Sequence, residues 1–167
     1  MSWDSPRVIT PEPSIGVTDP NNLDPSTNTA PETLRMGHIL REPAISSTGQ
    51  LYVTWEGFDP GSNLDQAFIT TSSDGGASWS APAVVNSSNT TRSAYTPAIT
   101  VASDGTVAVT YYQWDGATTS GAEPTMLYIQ KSTSGGSSST PPTFGARTAV
   151  SAEFNTIAAP GWWLLPR

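Results

Sequence analysis

From residue 37 onward the chain states the same pattern twice, and this repeat limits the possible folds more than any other feature. Pro43-Ala44-Ile45 recurs as Pro97-Ala98-Ile99, and Gly49-Gln50-Leu51-Tyr52-Val53-Thr54-Trp55 recurs as Gly105-Thr106-Val107-Ala108-Val109-Thr110-Tyr111. Phe68-Ile69-Thr70-Thr71-Ser72-Ser73-Asp74-Gly75-Gly76 has its counterpart in Tyr128-Ile129-Gln130-Lys131-Ser132-Thr133-Ser134-Gly135-Gly136. The offset grows from 54 residues at Pro43/Pro97 to 65 at Trp79/Phe144, because the second unit has longer turns, among them Gly136–Pro142. Apolar and polar residues alternate along Leu51–Trp55 and Val107–Tyr111, the period of a strand with two unlike faces. The pattern predicts strands near 43–47, 51–57, 66–72 and 83–87, then near 97–102, 107–113, 125–132 and 147–151. No stretch carries a helical period of useful length.

Within the first unit, Ser72-Ser73-Asp74-Gly75-Gly76-Ala77-Ser78-Trp79 reads as a tight turn between two of these strands. Asp and Ser side chains fold back onto nearby backbone N–H groups, and glycine takes positive φ without steric cost. Trp79 adds a large apolar body that fastens the turn to what lies beneath it. In the second unit Ser134 replaces the aspartate, so that turn is a degenerate copy. Four-stranded units repeating at about this interval are the pattern of propeller blades. The expected organisation is a Pro-rich arm over 1–36, a blade over 37–92, a second blade over 93–155, and an apolar stretch over 156–167 that is either the start of a further blade or a C-terminal tail. In the arm, Arg7-Val8-Ile9-Thr10 is the one expected strand. A propeller needs about 4–8 blades, so the two blades are expected to be part of a longer chain or to assemble with other copies.

The formal charge of −7, with one lysine and six arginines, argues against nucleic acid and anionic membrane as partners. Cysteine is absent and His38 is the single histidine, so neither disulfides nor a histidine-based metal cluster is available. Asp19-Pro20-Asn21-Asn22-Leu23-Asp24 has oxygen ligands at calcium-loop spacing but reads more simply as turn chemistry. No phosphate loop or nucleophile elbow is present. No cofactor and no metal are expected. Met1-Ser2-Trp3-Asp4 lacks the basic start and apolar middle of a signal peptide, so a secreted protein would have lost its leader.

The pattern Ser-x-Asp-x-Gly-x-Ser-Trp, carried here by Ser72, Asp74, Gly76, Ser78 and Trp79, closely resembles the Asp-box, the bacterial neuraminidase repeat of sialidase-like β-propellers. The resemblance covers residues 37–167. It implies an all-β fold of two four-stranded blades of the sialidase type, part of or assembling into a six-bladed propeller, in a secreted protein. In the family the box is a structural turn away from the active site. Arg41-Glu42-Pro43-Ala44-Ile45 followed by Gly49-Gln50-Leu51 resembles the opening of a sialidase blade, where an arginine is one of three that bind the substrate carboxylate. The resemblance gives that role to Arg41, although Leu40 and Glu42 stand where the family has an aromatic and an isoleucine. It also implies an acid/base aspartate near Asp59 and Asp65, in the loop after the second strand of the first blade. A full sialidase site needs two further arginines and a tyrosine nucleophile assisted by a glutamate, which belong to later blades. Catalysis within this chain alone is therefore not expected.

Each of these residues has a plainer reading. Arg41 also suits a surface ion pair with Glu42, and Asp59 and Asp65 suit loop polarity. Trp55 and Tyr111 hold matching repeat positions, which favours packing. Trp114, followed by Asp115-Gly116, is the aromatic expected to be exposed and to stack on a sugar ring. Asn86-Ser87-Ser88 and Asn89-Thr90-Thr91 fit the glycosylation pattern. The expected function is an extracellular carbohydrate-directed module resembling part of a glycoside hydrolase, with a glycan such as a sialic-acid-like sugar as partner. The rival is a non-catalytic scaffold for self-assembly or protein binding, and in either case a homo-oligomer or a longer chain is expected.

Overall fold

The structure, a computed structural model, describes residues 5–10, 17–18, 33–35, 41–87, 90–114 and 124–155. Among them there is no helix, and the fold is all-β. His38, the Asp19–Asp24 stretch, Asn89, the Asp115-Gly116 turn and the apolar tail lie outside the described residues. Two short strands, β1 (Val17–Thr18) and β2 (Thr33–Arg35), pair antiparallel. Arg7–Thr10, expected as a strand, is not one: among the described residues it joins no sheet and runs as irregular backbone.

The first unit forms a four-stranded antiparallel sheet in the order β3 (Glu42–Ile45), β4 (Leu51–Asp59), β5 (Leu64–Ser72), β6 (Ala83–Val84). The second repeats that order with β7 (Ala94–Val101), β8 (Val107–Trp114) and β9 (Pro124–Ser134). Its fourth position is broken into three pieces, β10 (Thr143–Phe144), β11 (Thr148–Ala149) and β12 (Phe154–Asn155), which all pair with β9. Neither sheet closes on itself. Pro43 and Pro97 both fall on edge strands, β3 and β7, where a missing N–H breaks no central ladder. At Pro97 the β7–β8 register also slips, and Thr96 takes a positive φ of 49°.

The two sheets share one core. Tyr52, Ala67, Ile69 and Val85 of the first meet Ala94, Val107, Val109, Tyr111 and Tyr128 of the second, all buried. The edge strand β7 lies against β3, β4 and β5, and Glu56 reaches across to accept a bond from the Thr96 N–H at 3.0 Å.

The two repeats turn opposite faces to this core. In β4 the inward residues are Tyr52, Thr54 and Glu56, whereas in β8 they are Val107, Val109 and Tyr111. The counterparts of the latter in the first repeat, Leu51, Val53 and Trp55, occupy the outer face of the first sheet. The stack is therefore directional, each repeat meeting its neighbour with a different face, and is not a two-fold sandwich.

The turn after β5 closes as its sequence suggests. Gly75 and Gly76 have φ of 71° and 89°. The Ser72 hydroxyl donates to Asp74 Oδ1 at 2.8 Å, and the Gly76 N–H donates to the Ser72 hydroxyl at 2.9 Å. The Ser78 N–H donates to Asp74 Oδ1 at 2.9 Å, while its hydroxyl donates to Oδ2. Hydrogen bonds from the Ser78 hydroxyl first, then the Ser78 N–H and the Ser72 hydroxyl, hold the Asp74 carboxyl well below the usual carboxylate range. The enlarged second turn docks onto this one: the Ser73 N–H donates to the Ser138 hydroxyl at 2.8 Å, and the Ser138 N–H returns a bond to Ser73 Oγ at 3.2 Å. Gln50 ties both together, donating to the carbonyls of Gly135 and Gly136 at 3.0 Å each.

Candidate functional site

The outer face of the first sheet carries the candidate site. Trp55 stacks on Phe68 with ring centroids 5.8 Å apart and an interplanar angle of 15°. This pair needs Gly57, where a Cβ would come within 3.0 Å of Trp55 Nε1 and 3.2 Å of the Phe68 ring. Arg41 immediately precedes β3, and the register of Glu42 opposite Thr54 brings it alongside Trp55. Across this face runs the irregular segment 5–10. Between the two lies a cavity of about 440 Å³ lined by Arg7, Val8, Ile9, Thr10, Arg41, Val53 and Trp55.

Among the described residues its floor is apolar and aromatic, and the two charged groups that line it are both guanidinium. Such a lining suits an anion with an apolar body, because guanidinium offers planar, paired donors to a carboxylate. Arg7 is anchored from outside the cavity: its Nη1 donates to the Ala77 carbonyl, in the turn after β5, at 3.2 Å.

The expected aspartates do not join Arg41. Asp59 ends β4, about 13 Å along an extended strand from Trp55. Its carboxylate accepts bonds from the N–H groups of Gly61 and Ser62, both at 3.1 Å. Partial burial raises its pKa, but the bonds from Ser62 and Gly61 outweigh that and leave it below the ordinary value, the behaviour of a turn-forming carboxylate. Asp65 lies inside β5, not in the loop, and is 1% exposed. It pairs opposite Phe58, which places it on the inter-sheet face, away from Arg41. Among the described residues no carboxylate lines the cavity.

Trp114 corrects a second expectation. It is 4% exposed and packs on Tyr95 at 6.0 Å, within a cluster that includes Tyr112. A ring covered in this way offers no face to a sugar; more accessible nearby are Tyr112, at the edge of that cluster, and Phe154, whose ring meets that of Tyr112 edge to face at 5.9 Å. Asn86 is also no acceptor for a glycan, because it is fully buried. Its amide donates to Gln66 Oε1 and accepts from the Ala67 N–H.

Sequence reasoning missed Arg7, Val8 and Ile9 as cavity residues. No local signal marks them, since their partners lie dozens of residues away. Trp55 was expected only to pack; it does so against Phe68, and its remaining edge becomes the cavity floor. Among the described residues there is no group of three or more His, Cys, Asp or Glu able to hold a metal ion. Compared with known proteins, the chain matches neither a family model nor a curated protein.

Proposed function

We propose that the chain is two blades of a sialidase-type β-propeller and serves as an extracellular carbohydrate-directed module that binds a carboxylate-bearing sugar. The observation that carries this reading is the cavity beside Arg41, with a guanidinium at its wall and Trp55 and Val53 at its floor. Its volume of about 440 Å³ falls in the range of small-ligand pockets, roughly 300–1,000 Å³. Arg41 grips the carboxylate, and the apolar floor takes the ring face. Among the described residues Asp59 and Asp65 stand apart from the cavity, so hydrolysis would require further groups, such as those of blades from further chain or from other copies. The experiment is a calorimetric titration with N-acetylneuraminic acid, repeated with its neutral methyl ester and with Arg41→Ala. Binding of the acid that falls tenfold or more in the variant supports the reading, a charge-assisted bond being worth roughly 1.5–3 kcal/mol. No binding of the acid by the unmodified protein refutes it.

A second reading, a scaffold that self-assembles, is favoured by the directional stacking. An interface that joins unlike faces leaves one of each kind at the ends and generates rings where the rotation closes. Light scattering behind a sizing column tests it: a trimer would supply six blades, and a monomer refutes ring closure by this chain.

A further inference from the structure

We infer that segment 5–10 is a displaceable cover on a sheet-docking face, and that a second copy of this chain competes with it for that face. The inference rests on the self-assembly reading and adds to it the two surfaces that join and the segment that regulates them.

The outer face of the first sheet repeats, position by position, the face that the second sheet buries in the core. Ile45, Val53, Trp55 and Phe68 are the counterparts of Ile99, Val109, Tyr111 and Tyr128. The likeness extends to register: Trp55 lies opposite Phe68 across β4 and β5, and Tyr111 lies opposite Tyr128 across β8 and β9. Both pairs bring their rings together, with centroids 5.8 Å apart in the first and 6.1 Å in the second. Ile45 lies opposite Leu51 and so shares the outer face. In the second repeat these positions pack against the first sheet: Val109 and Tyr111 are fully buried, and Ile99 lies on the same core. In the first repeat their cover is segment 5–10, which among the described residues joins no sheet. It leaves the cavity over Val53 and Trp55, and Ile45 stays 64% exposed.

A surface matching such a face is already present inside the molecule, where the inner side of the first sheet receives the second. Thr54 and Ile69, opposite each other on that inner side, recur as Thr110 and Ile129. Glu56 and Ala67, also opposite, recur as Tyr112 and Leu127. The four later residues are half-buried on the outer face of the second sheet. With Tyr112 in place of Glu56 and Leu127 in place of Ala67, this second surface is the more apolar of the two. The outer face of one copy's second sheet therefore continues the inter-sheet interface onto the outer face of another copy's first sheet, a head-to-tail contact between unlike faces.

A docked copy and segment 5–10 cannot share the face, and the copy takes the space of the cavity as well. The segment buries little apolar surface, Val8 being 86% and Ile9 39% exposed, and the Arg7 bond to the Ala77 carbonyl is open to solvent. A sheet offers far more apolar area to bury. A face that is open only part of the time binds its partner more weakly in the same proportion, so the segment sets how readily the chain assembles.

Sedimentation velocity over a concentration series tests this on the whole chain. Arg7→Ala/Ile9→Gly loosens the cover at exposed positions outside the core. It should tighten self-association about tenfold, the change expected where a cover is in place about nine-tenths of the time. In that background Ile45→Lys puts a charge on the first docking surface and Thr110→Lys puts one on the second, and each variant alone should be monomeric. Mixed, the two should form one-to-one pairs and stop there, because each keeps the face that the other has lost. Ile45 is exposed on an edge strand, so its variant reports even where Thr110→Lys fails to fold. The inference is overturned if loosening the segment leaves association unchanged, or if two folded lysine variants stay monomeric when mixed. Association that survives Ile45→Lys sinks the inference and leaves self-assembly standing through another surface. No association by any form of the chain sinks both.

Discussion

Tyr111→Phe removes one hydroxyl from the middle of the inter-sheet core, and the structure sets the size of the effect. Tyr111 is fully buried, and its hydroxyl donates to Gln130 Oε1 at 2.6 Å. Gln130 is itself 1% exposed and spends its amide on the Gly145 carbonyl at 2.8 Å. The variant leaves Gln130 Oε1 without that donor in a place water does not reach, a loss of about 1–3 kcal/mol. Gln130→Leu strands the phenol in the same way. The double variant puts two apolar groups together, so it should be less destabilised than the two singles added, again by about 1–3 kcal/mol.

The same site has an alkaline signature. Burial pushes the Tyr111 phenol well above its ordinary value; nearby Arg147 partly opposes this, and Tyr128 adds to it. A phenol that holds its proton more tightly when folded means that, above about pH 10, the unfolded chain binds fewer protons than the native one, so stability declines as pH rises. That decline approaches about 1.4 kcal/mol per pH unit for one group. Tyr111→Phe should make it shallower without removing it, because burial also raises Tyr52. Urea unfolding followed by tryptophan fluorescence at pH 7 and at steps up to pH 11 measures both effects. A Tyr111→Phe protein within about 0.5 kcal/mol of the parent at pH 7, or single-variant losses that simply add, would refute the reasoning.

Three further perturbations probe other parts of the fold. Gly57→Ala forces a methyl against the Trp55–Phe68 stack and should cost about 1–3 kcal/mol with a changed near-ultraviolet spectrum; a silent substitution would mean the stack is looser than described. Asn86→Asp sets a carboxylate against the Gln66 oxygen that the amide now satisfies, so a loss of at least about 1–3 kcal/mol at neutral pH is expected in chemical denaturation. The lowered Asp74 carboxyl contributes stability above its ordinary value, near pH 4, and that contribution is lost as pH falls through its depressed folded value. Amide exchange at Gly76 and Ser78, corrected for intrinsic rate, should therefore speed up in acid, and Asp74→Ala should show fast exchange with no such acid step.

Local chemistry was legible without the structure. The Leu51–Trp55 and Val107–Tyr111 alternation marks strands because successive side chains of an extended chain point to opposite sides. Ser72, Asp74 and Gly76 mark the turn because its bonds span only a few residues. The expected fourth strand of the second unit was less legible: in place of one strand near 147–151, Thr143–Asn155 pairs with β9 in three short pieces.

The sequence by itself determined an all-β chain of two four-strand repeats, the position of the hydrogen-bonded turn after β5, and a packing role for Trp55 and Tyr111. Tertiary structure alone decided which face of each strand is covered. Alternation gives every strand two faces and names neither as inner, so Tyr52 points into the core while its counterpart Ala108 lies on the outer face of the second sheet. The same reason folds Trp114 beneath Tyr95, buries Asn86 and Asp65, bonds Arg7 to the Ala77 carbonyl 70 residues away, and makes Arg7 and Trp55 line one cavity. Each of these placements depends on partners distant in the chain, and only the three-dimensional packing of the sheets brings those partners together.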